Sequence, residues 1–299
     1  FFEEVPKQAQ LTVSDLGSRS VIATFMDRPL KGKYQGNIAD LCPVGALTLK
    51  KFRFQARVWN LVKMASTCGE CSRGCSTTVE VLRGADVKRM RPRENEAVNK
   101  FWMCDIGRFS FDRHNRSGRL QGAAVREGVQ LVPYPVEEAL TRLRDELMRE
   151  KSGAWILSPW LTIEEGERIK AVAERLGHAV CFVSPAPNSE KDDLLHTGDP
   201  CPNRRGLSEL GIPAAPVAQA LEALRGVKSA VLIGERIVEL LGAGELAKVD
   251  ATKTRVHLVD EYALDIPCVL SVYGVANCVE RTGTWVNIDG VRGPISAVK

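Results

Sequence analysis

No apolar run in the 299 residues approaches the ~18 that a membrane-spanning helix needs, and no signal-peptide pattern is present. Any membrane attachment would therefore be made through another chain. Charge of one sign is equally scarce. Lys and Arg number 41 against 37 Asp and Glu, a net of +4, and no basic stripe alternates with aromatics. That balance argues against a nucleic-acid partner. The densest basic run, Lys88-Arg-Met-Arg-Pro-Arg93, reads as a solvated or subunit-facing loop. Histidines are few and scattered. His114, His178, His196 and His257 read as surface or satisfied core groups rather than ligands. A dinucleotide fingerprint is missing too. Gly234-Glu-Arg follows an apolar run without G-x-G-x-x-G, and Leu241-Gly-Ala-Gly-Glu245 reads as a helix stop and loop. Asp192-Asp193 near His196 is a weak catalytic candidate in a loop of turn residues.

Cysteine is what the chain does have. Nine cysteines, some at metal-ligand spacing, read as a reducing compartment rather than a disulfide scaffold. The pattern Cys68-x2-Cys71-x3-Cys75 is answered by Cys104 after a gap of 28 residues. Thiolates are soft ligands, and four suit an iron–sulfur cluster or zinc. Gly69 and Gly74 let the loop curl and aim amides at sulfur. Structural zinc sites more often pair C-x2-C with a second C-x2-C or with histidines. The spacing thus points first to [4Fe–4S], with zinc and unliganded core cysteines as alternatives. Cys42 is followed directly by Pro43, the way ferredoxin-type runs end, and Val44–Leu47 can start a short helix against a cluster. Its three companion ligands are absent from the sequence. Cys181, Cys201, Cys268 and Cys278 have no ligand spacing.

Local patterns outline the fold. Short β-like runs occupy 11–13 and 21–25. Thr77–Leu82, ending at Arg83-Gly84, and Val87–Met90 read as a β-hairpin. Leu140, Leu143 and Leu147 share one face of a helix over 136–148. Strands over 154–157, 179–183, 229–233 and 256–259 alternate with helices near 163–176, 216–225 and 235–242, with a capping box at Thr162-Ile-Glu-Glu165 and a stop at Gly177. The expected class is α/β: a small β-rich [4Fe–4S] domain followed by a doubly wound, mostly parallel α/β domain.

Gly36-Asn-Ile-Ala-Asp-Leu-Cys-Pro-Val-Gly-Ala-Leu-Thr48, Phe52-Arg-Phe-Gln-Ala-Arg-Val-Trp59, the four-cysteine pattern, Arg91–Asn99 and Trp102–Ser110 together resemble the large iron–sulfur (G) subunit of respiratory complex I, the NADH:quinone oxidoreductase. Pro202–Gly206 and Glu280–Gly290 extend the likeness more loosely. The resemblance implies a ferredoxin-like remnant over 1–55, a [4Fe–4S] domain over 56–112 akin to the N-terminal domain of molybdopterin oxidoreductases, and a degenerate molybdopterin-oxidoreductase-like domain over 113–299. It implies one [4Fe–4S] cluster on Cys68, Cys71, Cys75 and Cys104, lying off the main electron route. A second, on that route, is shared through Cys42 with ligands outside this chain. No molybdopterin and no substrate-converting active site of its own are expected. The implied function is electron transfer and scaffolding between NADH and quinone. Implied partners are the NADH/flavin-binding subunit, the small iron–sulfur subunit and the quinone-side peripheral subunits, at the cytoplasmic face of a bacterial inner membrane. The opening Phe1-Phe-Glu-Glu-Val5 carries no start or capping pattern, so further chain upstream is expected. A catalytic molybdenum or tungsten bis-pterin enzyme such as a formate dehydrogenase, and a zinc-stapled module, are the competing classes.

Overall fold

A computed structural model describes residues 1–83, 86–188 and 191–298. The N-terminal segment pairs β1 (Leu11–Ser14) with β2 (Val21–Thr24) antiparallel, then forms α1 (Asn37–Leu41). Cys42 caps α1 in an extended conformation. The helix expected over Val44–Leu47 does not form; those residues turn instead. Pro43 cannot continue α1, and Gly45 takes a left-handed φ of 69°, so the chain wraps back around the Cys42 sulfur.

A three-stranded antiparallel sheet follows, β3 (Leu61–Thr67), β4 (Ser76–Leu82) and β5 (Val87–Pro92). The pairing of Thr67 with Ser76 puts residues 68–75 at the end of the β3–β4 hairpin, closed by Cys68 N donating to Cys75 O at 2.8 Å. The β4–β5 hairpin is the one the alternation predicts. Gly84 lies outside the described residues. The basic run 88–93 is not a loop. It is largely strand β5, and its charges find partners. Arg89 pairs with the buried Glu80 and stacks 4.1 Å over Phe52, and Arg91 Nε donates to Asp40 at 3.0 Å. Two short helices, α2 (Asp105–Phe109) and α3 (Phe111–His114), pack against β5.

The rest is one eight-stranded sheet with helices on both faces. The chain enters through the hairpin β6 (Ala123–Glu127) and β7 (Gln130–Tyr134), then runs α4 (Val136–Arg149), β8 (Gly153–Leu157), α5 (Ile163–Leu176), β9 (Ala179–Val183), α6 (Arg204–Glu209), β10 (Ala214–Ala215), α7 (Val217–Arg225), β11 (Ser229–Ile233), α8 (Ile237–Leu241), α9 (Ala243–Leu246), β12 (Arg255–Asp260) and β13 (Val269–Gly274). The order is β10-β9-β8-β11-β12-β13-β6-β7, parallel from β10 to β13 and antiparallel through β6 and β7. Alternate residues feed two cores. Ile156, Ala230 and Leu232 face one side, and Trp155, Leu157 and Val231 the other. The capping box at Thr162 and Glu165 and the left-handed stop at Gly177 form as expected. Leu140 departs from its expected stripe. α4 buries Ala139 and Leu147, and Leu140 stays 44% exposed on the rim of an apolar groove with α5.

The order in which strands are added reverses between the parallel neighbours β8 and β11, and their carboxyl ends mark the switch point where doubly wound sheets carry ligands. Protein fills that place here. Trp160 is buried; its Nε1 donates to Gly69 O at 2.8 Å, and Arg236 stacks 4.1 Å over its ring. A final hairpin, β14 (Gly283–Val286) and β15 (Arg292–Ile295), leaves the large sheet and packs on β3. Thr67 Oγ1 donates to Pro294 O, Ile288 N to Ser72 O, and Asn287 Nδ2 to Arg73 O.

Candidate metal centre

Cys68, Cys71 and Cys75 sit in the loop at the β3–β4 hairpin end, and Cys104 is the N-cap of α2. The fold buries all four thiols, each 4–6% exposed. They face one another closely enough for charge on one to be felt by the others. Cys68 and Cys75 are pushed well up, first by burial and then by the neighbouring sulfurs. Burial pushes Cys104 up to about 12. Cys71 rises less, because the Arg73 and Thr197 amides and the Thr197 hydroxyl donate to it. Gly107 N donates to Cys104 Sγ at 3.4 Å. Four buried thiols that resist ionisation on their own suit a cationic centre that replaces their protons.

The cage is wide. Among the described residues, the one trio of His, Cys, Asp or Glu ligand atoms lying within 4.8 Å of one another contains none of these four cysteines. A tetrahedral zinc with bonds of ~2.3 Å would draw its sulfurs to about 3.8 Å apart. The walls are small or flat where they meet sulfur. A Cβ on Gly107 would fall 2.7 Å from Cys68 Sγ and 3.7 Å from Cys104 Sγ, and one on Gly69 would strike Trp285 at 2.8 Å. Gly74 has a left-handed φ of 59°. Four thiols, donated amides and glycine clearance fit a group larger than one ion.

Cys42 stands apart, half-buried at the end of α1. The Leu47 amide donates to its sulfur at 3.4 Å, and those of Ala46, Val44 and Gly45 also face it. These donors hold its thiol below the usual range. The sequence motif thus forms an amide nest around an accessible thiol, with no helix required.

A buried polar bridge joins the two sulfur sites. Asp105 accepts from the Gln35 and Gly36 amides at 2.8 Å each. Asn37 exchanges hydrogen bonds with the Met103 backbone, giving 2.9 Å and taking 3.1 Å. Arg108, fully buried, donates to Asn37 Oδ1 at 3.0 Å, and its Nη1 lies 2.7 Å from Asp40 Oδ2. The helix leading to Cys42 and the helix starting at Cys104 are therefore one packed unit.

The other sequence candidates resolve differently. Asp192 is a loop cap, accepting from the Leu194, Leu195 and His196 amides and from Tyr34 Oη at 2.7 Å. All four histidines are buried, none on the surface. His257 Nδ1 meets Ser271, and His178 Nδ1 meets Trp155 Nε1. Cys181 packs against the core of the large sheet. Cys278, unremarkable in sequence, comes 3.9 Å from His114.

The α/β architecture and the four buried thiols, three in the 68–75 loop and one at the start of α2, point to an iron–sulfur protein, and sequence comparison indicates [4Fe–4S] domains. A family model described as "NADH-quinone oxidoreductase subunit 3, ferredoxin-like domain" matches residues 1–48, which include Cys42. One described as "NADH-ubiquinone oxidoreductase NDSU1/NuoG-like, 4Fe-4S domain" matches 72–112, which include Cys75 and Cys104. The NADH-quinone oxidoreductase subunit 3 of Thermus thermophilus is 34% identical over 217 residues, 67% of this chain and 27% of that one. The G subunit of the Streptomyces coelicolor NADH-quinone oxidoreductase is 33% identical over 168 residues, 55% of this chain and 20% of its own. The NADH-ubiquinone oxidoreductase 75 kDa subunit of Reclinomonas americana is 28% identical over 209 residues, 67% and 30% respectively. The chain is thus similar to part of the NADH-quinone oxidoreductase G subunits, and it spans about a quarter of the length of these relatives. Among the described residues no helix is long and apolar enough to cross a membrane.

Proposed function

We propose that this chain is an electron-transfer and scaffold element of complex I, passing electrons from NADH towards quinone. Cys68, Cys71, Cys75 and Cys104 would hold one [4Fe–4S] cluster, and Cys42 would be the terminal ligand of a second, completed by cysteines outside this chain. The observation that carries the reading is the wide, buried, amide-lined four-thiol cage. Such a cluster supplies one-electron chemistry. The chain's own part is to exclude water with Trp160 and Trp285 and to donate N–H groups to sulfur, which sets the potential. The ferredoxin-like part would span 1–55, the [4Fe–4S] part 56–112 and the degenerate pterin-domain relative 113–299. The NADH/flavin-binding, small iron–sulfur and quinone-side subunits would be its neighbours, in a peripheral arm on the cytoplasmic face of a bacterial inner membrane. A bis-pterin enzyme has less support. The relatives are named as NADH-quinone oxidoreductases, and Trp160 with Arg236 fills the switch point where a pterin would need room.

Iron and acid-labile sulfide per chain test the central cluster. Cys71→Ser is expected to lower both by about one cluster's worth while the large sheet stays folded. Stoichiometric zinc without sulfide in the wild type would refute the cluster. Gly107→Ala gives a second, sharper test. In an α-helix Ala is favoured over Gly by about 1 kcal/mol. Its methyl would nevertheless intrude on Cys68 Sγ at 2.7 Å. The variant is therefore expected to lose most of its iron while gaining or keeping helix stability. Full iron retention would mean that α2 does not line the cluster.

A further inference from the structure

Cys278 stands in a buried trio with His114 and Glu235, 8%, 3% and 1% exposed. The three come from separate parts of the chain. His114 ends α3, Glu235 follows β11 at the carboxyl edge of the sheet, and Cys278 lies between β13 and β14. One ligand atom from each lies within 4.8 Å of the other two, and Cys278 Sγ is 3.9 Å from His114 Nε2. Imidazole, carboxylate and thiolate are the three ligand types of zinc, and bonds of ~2.0–2.3 Å bring such atoms to about 3.3–3.6 Å apart. An inward movement of about an ångström closes the trio on one ion. The four-cysteine cage has no such set of three.

Glu235 is held in place from two sides. Glu235 Oε2 accepts from Cys278 N at 3.0 Å and faces Arg281 Nη2 at 3.4 Å. Arg281 is drawn elsewhere as well, to Trp160 O at 2.8 Å and to Glu165 at 3.3 Å. The carboxyl groups of Glu235, Glu70 and Glu261 and the guanidinium of Arg281 all act on the Cys278 sulfur, while Arg113 and Arg236 face Glu70 and Arg119 faces Glu261.

We propose that His114 Nε2, the Glu235 carboxylate and Cys278 Sγ bind one divalent cation of the zinc class, a structural staple that ties the end of α3 to two loops at the carboxyl edge of the sheet. The mixed S, N and O set selects zinc over the hard cations. Binding forms a sulfur–metal bond and releases the thiol proton to solvent, with no electron transferred.

The full chain, with its iron in place, is grown with added zinc sulfate and freed of loose metal by EDTA and gel filtration. It is expected to carry about one zinc per chain by plasma mass spectrometry. Cys278→Ala and His114→Gln are each expected to lose that equivalent with iron and sulfide unchanged. X-ray absorption at the zinc edge of the wild type is expected to show one sulfur with nitrogen and oxygen neighbours. A wild type that binds under a tenth of an equivalent after titration with zinc sulfate overturns the proposal, as does zinc that persists in both variants or an edge with four sulfurs. The edge is read on wild type alone, so it decides the matter even if the variants misfold. The iron and sulfide assays report separately on the [4Fe–4S] reading.

Discussion

Cys42→Ser, in complex that still assembles, is expected to cut NADH:quinone turnover by roughly tenfold or more, the scale of effect seen when metal ligation is disturbed. Cys71→Ser is expected to leave assembled complex close to wild-type turnover and to lower the yield of complex instead. The difference follows from the two environments. Cys42 is half-buried in a nest of amides from Val44 to Leu47, where its sulfur is open to a partner beyond this chain. Cys71 is enclosed by the 68–75 loop, Thr197 and the C-terminal hairpin, so its removal undoes packing first. Turnover per assembled complex, normalised to flavin, separates the two effects. Full turnover in Cys42→Ser with loss in Cys71→Ser would reverse the assignment of main path and side branch.

Arg108→Leu is expected to cost about 3 kcal/mol, since removing one partner of a buried ion pair strands the other. Arg108 is fully buried and Asp40 largely so, and Asn37 Oδ1 would lose its Nη2 donor. Arg91→Ala, which removes a more exposed partner of the same Asp40, is the control and should cost under about 1 kcal/mol. Chemical denaturation followed by a probe on α2 measures both. Arg108→Leu should also loosen iron, because the bridge holds the helix that begins at Cys104. Equal, small costs for the two variants would show that the bridge is incidental packing.

The three cysteines of one loop were legible in sequence because eight consecutive residues fix their own geometry, and Cys104 was legible through its spacing. The parallel sheet was readable as well, since each β–α alternation is local. What could not be read was pairing across distance. The charges of 88–93 look solvent-bound in sequence because Glu80, Asp40 and Phe52 approach only through the sheet and α1. Leu140 fits a helical stripe, but the edge hairpin β6–β7 and β13 decide which side of α4 is covered. The Cys42 motif suggests a short helix over Val44–Leu47, but Gly45 at positive φ makes a turn there instead. His114 and Cys278 are 164 positions apart and share no motif.

The return of the β14–β15 hairpin to the 68–75 loop has a consequence for the timing of synthesis. Arg73 waits for Asn287, 214 positions later, and Ser72 and Gly69 wait for Ile288 and Trp285. At translation rates of ~5–20 residues per second, roughly 10–40 s separate the two segments on the ribosome. Throughout that interval the cysteine loop is made but unroofed. Metal loading can thus precede the closing of the roof, and a nascent chain stalled before residue 283 would expose three reactive thiols to any oxidant or stray metal in the cell.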